Sequence, residues 1–115
     1  MLKRMAELKE VVVENMRGGN GNIISTHIAD PSEMFGKNRL YAKFTIKPGC
    51  SIGYHVHENE MEVYHIISGT ALFDDNGVQM ELSPGDVTVT PAGYGHSIAN
   101  NGDTDLIAIA LIVLQ

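Results

Sequence analysis

The chain has 115 residues, 43% of them hydrophobic and 19% charged, with a formal net charge of −6 and a single cysteine. That length suits one domain, residues 1–115, with a core of its own, and one unpaired cysteine excludes an intramolecular disulfide framework and fits a reducing compartment. The eight basic residues are scattered through an acidic chain, which argues against a nucleic-acid partner.

The N-terminal stretch 1–10 mixes Lys3, Arg4 and Lys9 with Glu7 and Glu10 and contains no apolar run of signal-peptide length. A cytoplasmic location is expected, with a helical turn or two at most in residues 2–10. Beyond it the chain reads as short strands separated by turn formers, the pattern of an antiparallel barrel or sandwich. The expected strands are residues 11–14, 22–28, 39–47, 51–56, 61–67, 70–73, 78–82, 87–90, 97–100 and 106–113. Between the first two, Arg17-Gly18-Gly19-Asn20-Gly21 could suggest a phosphate-cradling loop. It is followed by a strand pattern where such a loop needs a helix, so a flexible turn is expected. Residues 29–38 form a long polar connection that either covers a barrel mouth or joins two strands. Asp75-Asn76-Gly77 marks a hairpin, because Asn-Gly supplies the positive φ values of a two-residue primed turn, and Asn101-Gly102-Asp103 marks another turn. The apolar run 106–114 is too short for a membrane helix and reads as a core strand.

The chemistry sits in the middle of the chain. His55 and His57 are two apart, so on a strand they leave one face with their Cα atoms roughly 6–7 Å apart and can reach one ion. Glu62 lies on the next strand, folded back by residues 58–60, and supplies a carboxylate from across the pair. His96 follows the bend Pro91-Ala92-Gly93-Tyr94-Gly95 and arrives from another part of the sheet. Three imidazoles and a carboxylate suit a first-row divalent metal, whereas a closed structural zinc site would be richer in cysteine. Burying these four groups together without an ion is costly.

By the same parity Tyr64 and Ile66 share the face of Glu62, and Ile98 that of His96, so these three are expected to line a pocket. His65, with Val63 and Ile67, falls on the opposite face. That apolar outer surface and the all-apolar run 107–113 imply a homodimer. His27, outside the cluster, reads as a structural or interface histidine.

The fixed positions Gly49, His55, His57, Glu62 and Gly69, then Gly85, Pro91, Gly93, His96 and Asn100, resemble both motifs of the cupin superfamily, and the intermotif spacer, residues 70–84, resembles that of small single-domain microbial cupins. The resemblance implies a double-stranded β-helix, or jelly-roll barrel, with His55, His57, Glu62 and His96 as metal ligands. It also implies manganese or iron in preference to Zn, Ni, Co or Cu, and a small-molecule ligand. It points to a metal-dependent enzyme acting on a small polar molecule, by carboxylate decarboxylation or dioxygenation in the manner of oxalate decarboxylases. A non-catalytic metal or small-ligand binding module is the alternative, and a sugar-phosphate isomerase fits less well because no basic cluster awaits a phosphate. Oxalate decarboxylases carry an arginine shortly before the first motif histidine, where this chain has Ser51-Ile52-Gly53-Tyr54. Arg17 or Arg39 could replace that arginine only if the fold brings one inward. Glu60, beside the ligands, is the candidate proton shuttle.

Overall fold

A computed structural model describes residues 1–115. Ten strands follow one another: β1 (Glu10–Glu14), β2 (Asn22–His27), β3 (Asn38–Ile46), β4 (Ser51–Val56), β5 (Glu60–Ser68), β6 (Ala71–Asp75), β7 (Val78–Leu82), β8 (Val87–Thr90), β9 (Gly95–Ala99) and β10 (Leu106–Leu114). Only single turns of 3-10 helix, at Met5–Glu7, Met16–Gly18 and Pro31–Met34, interrupt them. No helix is long and apolar enough to cross a membrane.

The strands form two antiparallel sheets, of order β1-β2-β3-β10-β5-β8 and β4-β9-β6-β7. This is the two-sheet jelly-roll architecture expected above. Alternation decides which side chains fill it. Along β10, Leu106, Ala108, Ala110 and Ile112 are buried, while Ile107, Ile109, Leu111 and Val113 on the other face are half-exposed. The burial expected on both faces of this strand is thus complete on one face only within a single chain. Facing β10 across the interior are Ile52, Phe73 and Ile98 of the smaller sheet, which join Ile23, Phe44, Ile46 and Tyr64 in one core cluster.

Turn chemistry fixes the registers. Asn76 (φ 50°) and Gly77 (φ 99°) both take left-handed dihedrals between β6 and β7, as a primed turn requires. In residues 29–38, the Asp30 side chain and Glu33 backbone, and the Glu33 side chain and Asp30 backbone, pair reciprocally around the turn Pro31–Met34. That segment contributes nothing to the lining of the central cavity, so it joins β2 to β3.

A further tie is made by Asn100. Buried at the end of β9, it donates from Nδ2 to the carbonyls of Ile46 and Thr104, both at 2.8 Å, and accepts from the Gly102 amide at 3.0 Å. One side chain therefore ties β9, the end of β3 and the turn into β10. Asn100→Ala would leave the Ile46 carbonyl without its partner inside the protein. We expect a loss of about 1–3 kcal/mol in chemical denaturation; an unchanged midpoint would show that the turn is held elsewhere.

Candidate metal centre

His55 is on β4, Glu62 on β5 and His96 on β9, while His57 follows the last residue of β4. His57 remains paired although it is outside the strand: its amide donates to the Tyr94 carbonyl at 3.1 Å and its carbonyl accepts from Gly93 at 2.7 Å. The Pro91–Gly95 bend thus clamps one ligand and delivers the next.

Simple alternation would not have put His55 inside. Ile52 points into the core, and a regular strand would send the residue three positions later outward. Between them the β4/β9 register slips: Ile52 pairs with Ile98 but His55 pairs with His96, which leaves one extra residue on β4. This bulge at Gly53-Tyr54 turns His55 to the inner face and leaves Tyr54 exposed.

The four ligand atoms lie within 4.8 Å of one another. Nε2 of His57 and Nε2 of His96 are each 2.9 Å from Glu62 Oε1 and 3.0 Å from each other. His55 Nε2 is 3.2 Å from His96 Nε2 and 4.0 Å from Glu62 Oε1. Ligand atoms about 2.1 Å from a shared first-row ion and at right angles to one another stand about 3 Å apart, so the donor set has the right dimensions for such an ion.

What turns the nitrogens this way lies behind them. His55 Nδ1 donates to the Gly53 carbonyl at 2.7 Å, which can only accept. His57 Nδ1 donates to Glu60 at 2.6 Å, and Thr90 Oγ1, 2.8 Å from His96 Nδ1, can accept in the same way. With the proton on Nδ1, each Nε2 presents a lone pair. Three lone pairs and an anionic oxygen then face one point. Glu62 Oε1 is buried there with no hydrogen-bond partner of proper geometry despite its close neighbours, which is the condition a cation would relieve. Tyr64 stacks on the back of His96 with ring centroids 4.9 Å apart and planes 5° from parallel, and Phe73 meets the same ring edge-on.

The charges follow from these contacts. The Arg39 guanidinium, bound to Glu60 through two hydrogen bonds of 2.7 Å, holds that carboxyl down to about 2, with His57 adding to the effect. Burial favours the neutral form of Glu62, but the imidazoles of His57 and His96 close beside it outweigh that and keep the carboxyl below its usual range. The Glu62 carboxylate beside Nε2 favours a second proton on His57 and raises its imidazole despite burial, whereas burial lowers His55. The Tyr64 phenol is pushed well up by complete burial.

A cavity of about 80 Å³ opens beside the cluster, lined by His55, His57, Glu62 and Tyr64 together with Arg17, Arg39, Met16, Leu40, Phe44, Ile52 and Ile112. Of the three residues expected to line a pocket, Tyr64 does so. Ile66 and Ile98 do not; both are core residues. Parity chose their side of the sheet correctly but carries no information on depth, and Ile66 lies four residues along β5 from Glu62. Glu60 opens β5 instead of lying on a free loop, and both its oxygens are engaged behind His57, outside the cavity lining. His65 is exposed on the outer face and His27 ends β2, neither within the cluster. Both arginines raised as substitutes for the missing clamp reach the cavity wall. Met16, Leu40, Phe44 and Ile112 had no sequence signal, since only the folding of residues 16–18 and the β3/β10 pair against the cluster brings them there.

Comparison with known proteins agrees with this geometry. The family model for the Cupin domain matches residues 42–112. An oxalate-binding protein of Thermotoga maritima is 41% identical over 114 residues, covering 99% of this chain and 94% of the relative. The crystal structure of a predicted oxalate decarboxylase from Thermotoga maritima superposes with a TM-score of 0.95 at 41% identity, covering the whole of both chains. KdgF from Halomonas sp. shares the fold at a TM-score of 0.79 and 19% identity, covering 100% of this chain and 95% of its own. The chain belongs to the cupin family.

Proposed function

We propose that the protein binds a small carboxylate, of the size and charge of oxalate, at a divalent metal held by His55, His57, Glu62 and His96. The observation that carries this reading is the buried, unpartnered Glu62 Oε1 facing three imidazole lone pairs. The uneven spacing supports a site with free positions: four ligands in a closed tetrahedron would all lie about 3.4 Å apart. Here Glu62 Oε1 is 2.9 Å from His57 and His96 but 4.0 Å from His55, the last close to the separation of two ligands on opposite sides of an ion, and the four atoms together lie within 4.8 Å. Such an arrangement belongs to oxygen-rich and mixed sites of Mn and Fe more than to structural zinc. The bound ion would polarise a carboxylate oxygen of the ligand. The chain's own residues do the rest: Glu60, Thr90 and the Gly53 carbonyl orient the imidazoles, and Phe44, Ile52 and Ile112 exclude water from one side. The small volume favours a ligand of few heavy atoms over a sugar phosphate. The likeness to the oxalate-binding protein of Thermotoga maritima supports the same class of ligand.

Within this reading we favour binding over decarboxylation. Decarboxylation needs a proton delivered to carbon, and no free acid faces the cavity: Glu60 is ionised down to about 2 and engaged by Arg39 and His57, and Glu62 is a ligand. Glu60 is better read as the group that positions His57 than as a proton shuttle. Dioxygenation, which makes no such demand, remains the second reading, favoured by a site with free positions. Calorimetric titration of Mn- or Fe-loaded protein with oxalate tests the binding claim, and product analysis under air in the same samples separates binding from turnover. Absence of heat and of product with either metal would remove the proposal.

The outer face of the larger sheet carries a second proposal. Val87, Val89 and Ile67 are 55%, 56% and 47% exposed there, beside half-buried Val63, Ile109 and Leu111. We propose that a second copy of the chain covers this face, on the scale of the roughly 1,600 Å² that a stable interface buries. Light scattering at micromolar concentration should give the dimer mass, and the monomer mass would refute it.

Metal content gives the sharpest prediction for the site. Replacing His55, His57, Glu62 or His96 by Ala should abolish stoichiometric metal, and Glu60→Gln should weaken it by about 10- to 100-fold with all four ligands in place, while His65→Ala changes nothing. Because His57 takes up its proton above the ordinary imidazole range, affinity should already fall between neutral and mildly acidic pH. Glu60 stays ionised throughout that window, so the loss reports imidazole protonation. A pH-independent affinity, or full metal in His57→Ala, would contradict the ligand set.

A further inference from the structure

The loop before β2 was read from the sequence as a flexible turn, yet it is strapped to the metal strand. The Gly18 and Gly19 amides close a 3-10 turn on the carbonyls of Asn15 and Met16, and the Ser51 amide donates to the Asn20 carbonyl at 2.9 Å. The Asn20 amide donates back to the Ser51 hydroxyl at 2.9 Å. Between these ties the two backbones touch through glycine. A Cβ on Gly53 would strike the Arg17 carbonyl, and one on Gly19 would strike the Ser51 carbonyl. Arg17 itself is held in left-handed backbone (φ 55°, ψ 30°) at the centre of this contact.

The result is that Gly53 serves two masters. Its carbonyl orients His55, and its missing side chain lets residue 17 approach the same strand. Arg17 thereby becomes part of the cavity wall that also holds His55, His57 and Glu62. The other arginine of that wall, Arg39, already has its charge matched by both oxygens of Glu60. Arg17 has no ion pair and no side-chain hydrogen bond. An arginine with its backbone held in place and its charge unpaired thus joins the wall of a small cavity that His55, His57 and Glu62 also line.

We infer that Arg17 is the anion-recognising residue of this pocket, taking the carboxylate of a bound ligand that is turned away from the metal position. This rests on the carboxylate-binding reading above and narrows it: the pocket selects short dicarboxylates, with one charge for the metal and one for Arg17, over monocarboxylates of similar size. Guanidinium matches a carboxylate with two parallel donors, so a lysine at this position keeps the charge and loses the fork.

The test is calorimetric titration of Mn-loaded wild type, Arg17→Gln and Arg17→Lys with oxalate and with formate, with manganese measured before and after each titration. Arg17→Gln should retain stoichiometric manganese and lose about 10- to 100-fold in oxalate affinity, with formate affinity changed by less than about threefold. Arg17→Lys should fall between wild type and Arg17→Gln. Oxalate binding by Arg17→Gln equal to that of a wild type that binds oxalate would overturn this inference and leave the carboxylate-binding function standing. An equal loss for oxalate and formate would also overturn it, because the arginine would then not be reading the second charge. A manganese-loaded wild type that binds neither anion would remove the function and the inference together.

Discussion

Everything specific about this protein depends on where three imidazole protons sit. A carbonyl and a carboxylate hold hydrogen on Nδ1 of His55 and His57, and the Thr90 hydroxyl can accept from Nδ1 of His96 in the same way, so that the opposite nitrogens present lone pairs to one another and to Glu62. Four acceptors facing inward would repel in a protein that stayed empty. The rigid framework around them, with Tyr64 stacked on His96 and Phe73 at its edge, keeps them from turning away. The fold therefore holds an unfavourable arrangement that a cation would convert into a favourable one.

Those orienting groups come from every part of the fold that meets at the site. Thr90 ends β8, Glu60 opens β5 and is held by Arg39 of β3, and Gly53 belongs to the bulge of β4. The larger sheet supplies one ligand and two of the orienting groups, while the smaller sheet and its bend supply the three histidines. Neither sheet alone would assemble the cluster. The bulge is the device that reconciles them, because it lets β4 keep Ile52 in the core and still turn His55 inward three residues later. The loop at Arg17 packs on that same bulge, so the geometry of the ligand strand and the charge in the cavity wall are mechanically one feature.

The sequence made all ten strands legible, because alternation and turn residues are local signals; the boundaries moved by two residues at most, as at β6, which ends at Asp75, and β9, which begins at Gly95. The candidate ligand cluster was legible as well, from the pairing of His55 with His57 and the motif spacing of Glu62 and His96. What lay outside reach was tertiary. Parity put Ile66 and Ile98 on the correct side of their strands but could not tell core from cavity. Glu60 looked like an acid on a free loop, since its partner Arg39 is 21 residues away. Gly19 and Gly53 read as ordinary turn and strand glycines until the two backbones were seen to touch. His55 itself was placed inward by a strand count that ignored the bulge. The expectation held because its parity was reckoned from His57 and not from Ile52.

The most direct test of the account is an anomalous difference map from crystals grown with manganese, at neutral pH. The account predicts one peak at the centre of the cluster, bonded to Nε2 of His55, His57 and His96 and to Glu62 Oε1, with Nδ1 of His57 still donating to Glu60. A peak bonded through any Nδ1, or manganese bound elsewhere with the cluster vacant, would contradict it.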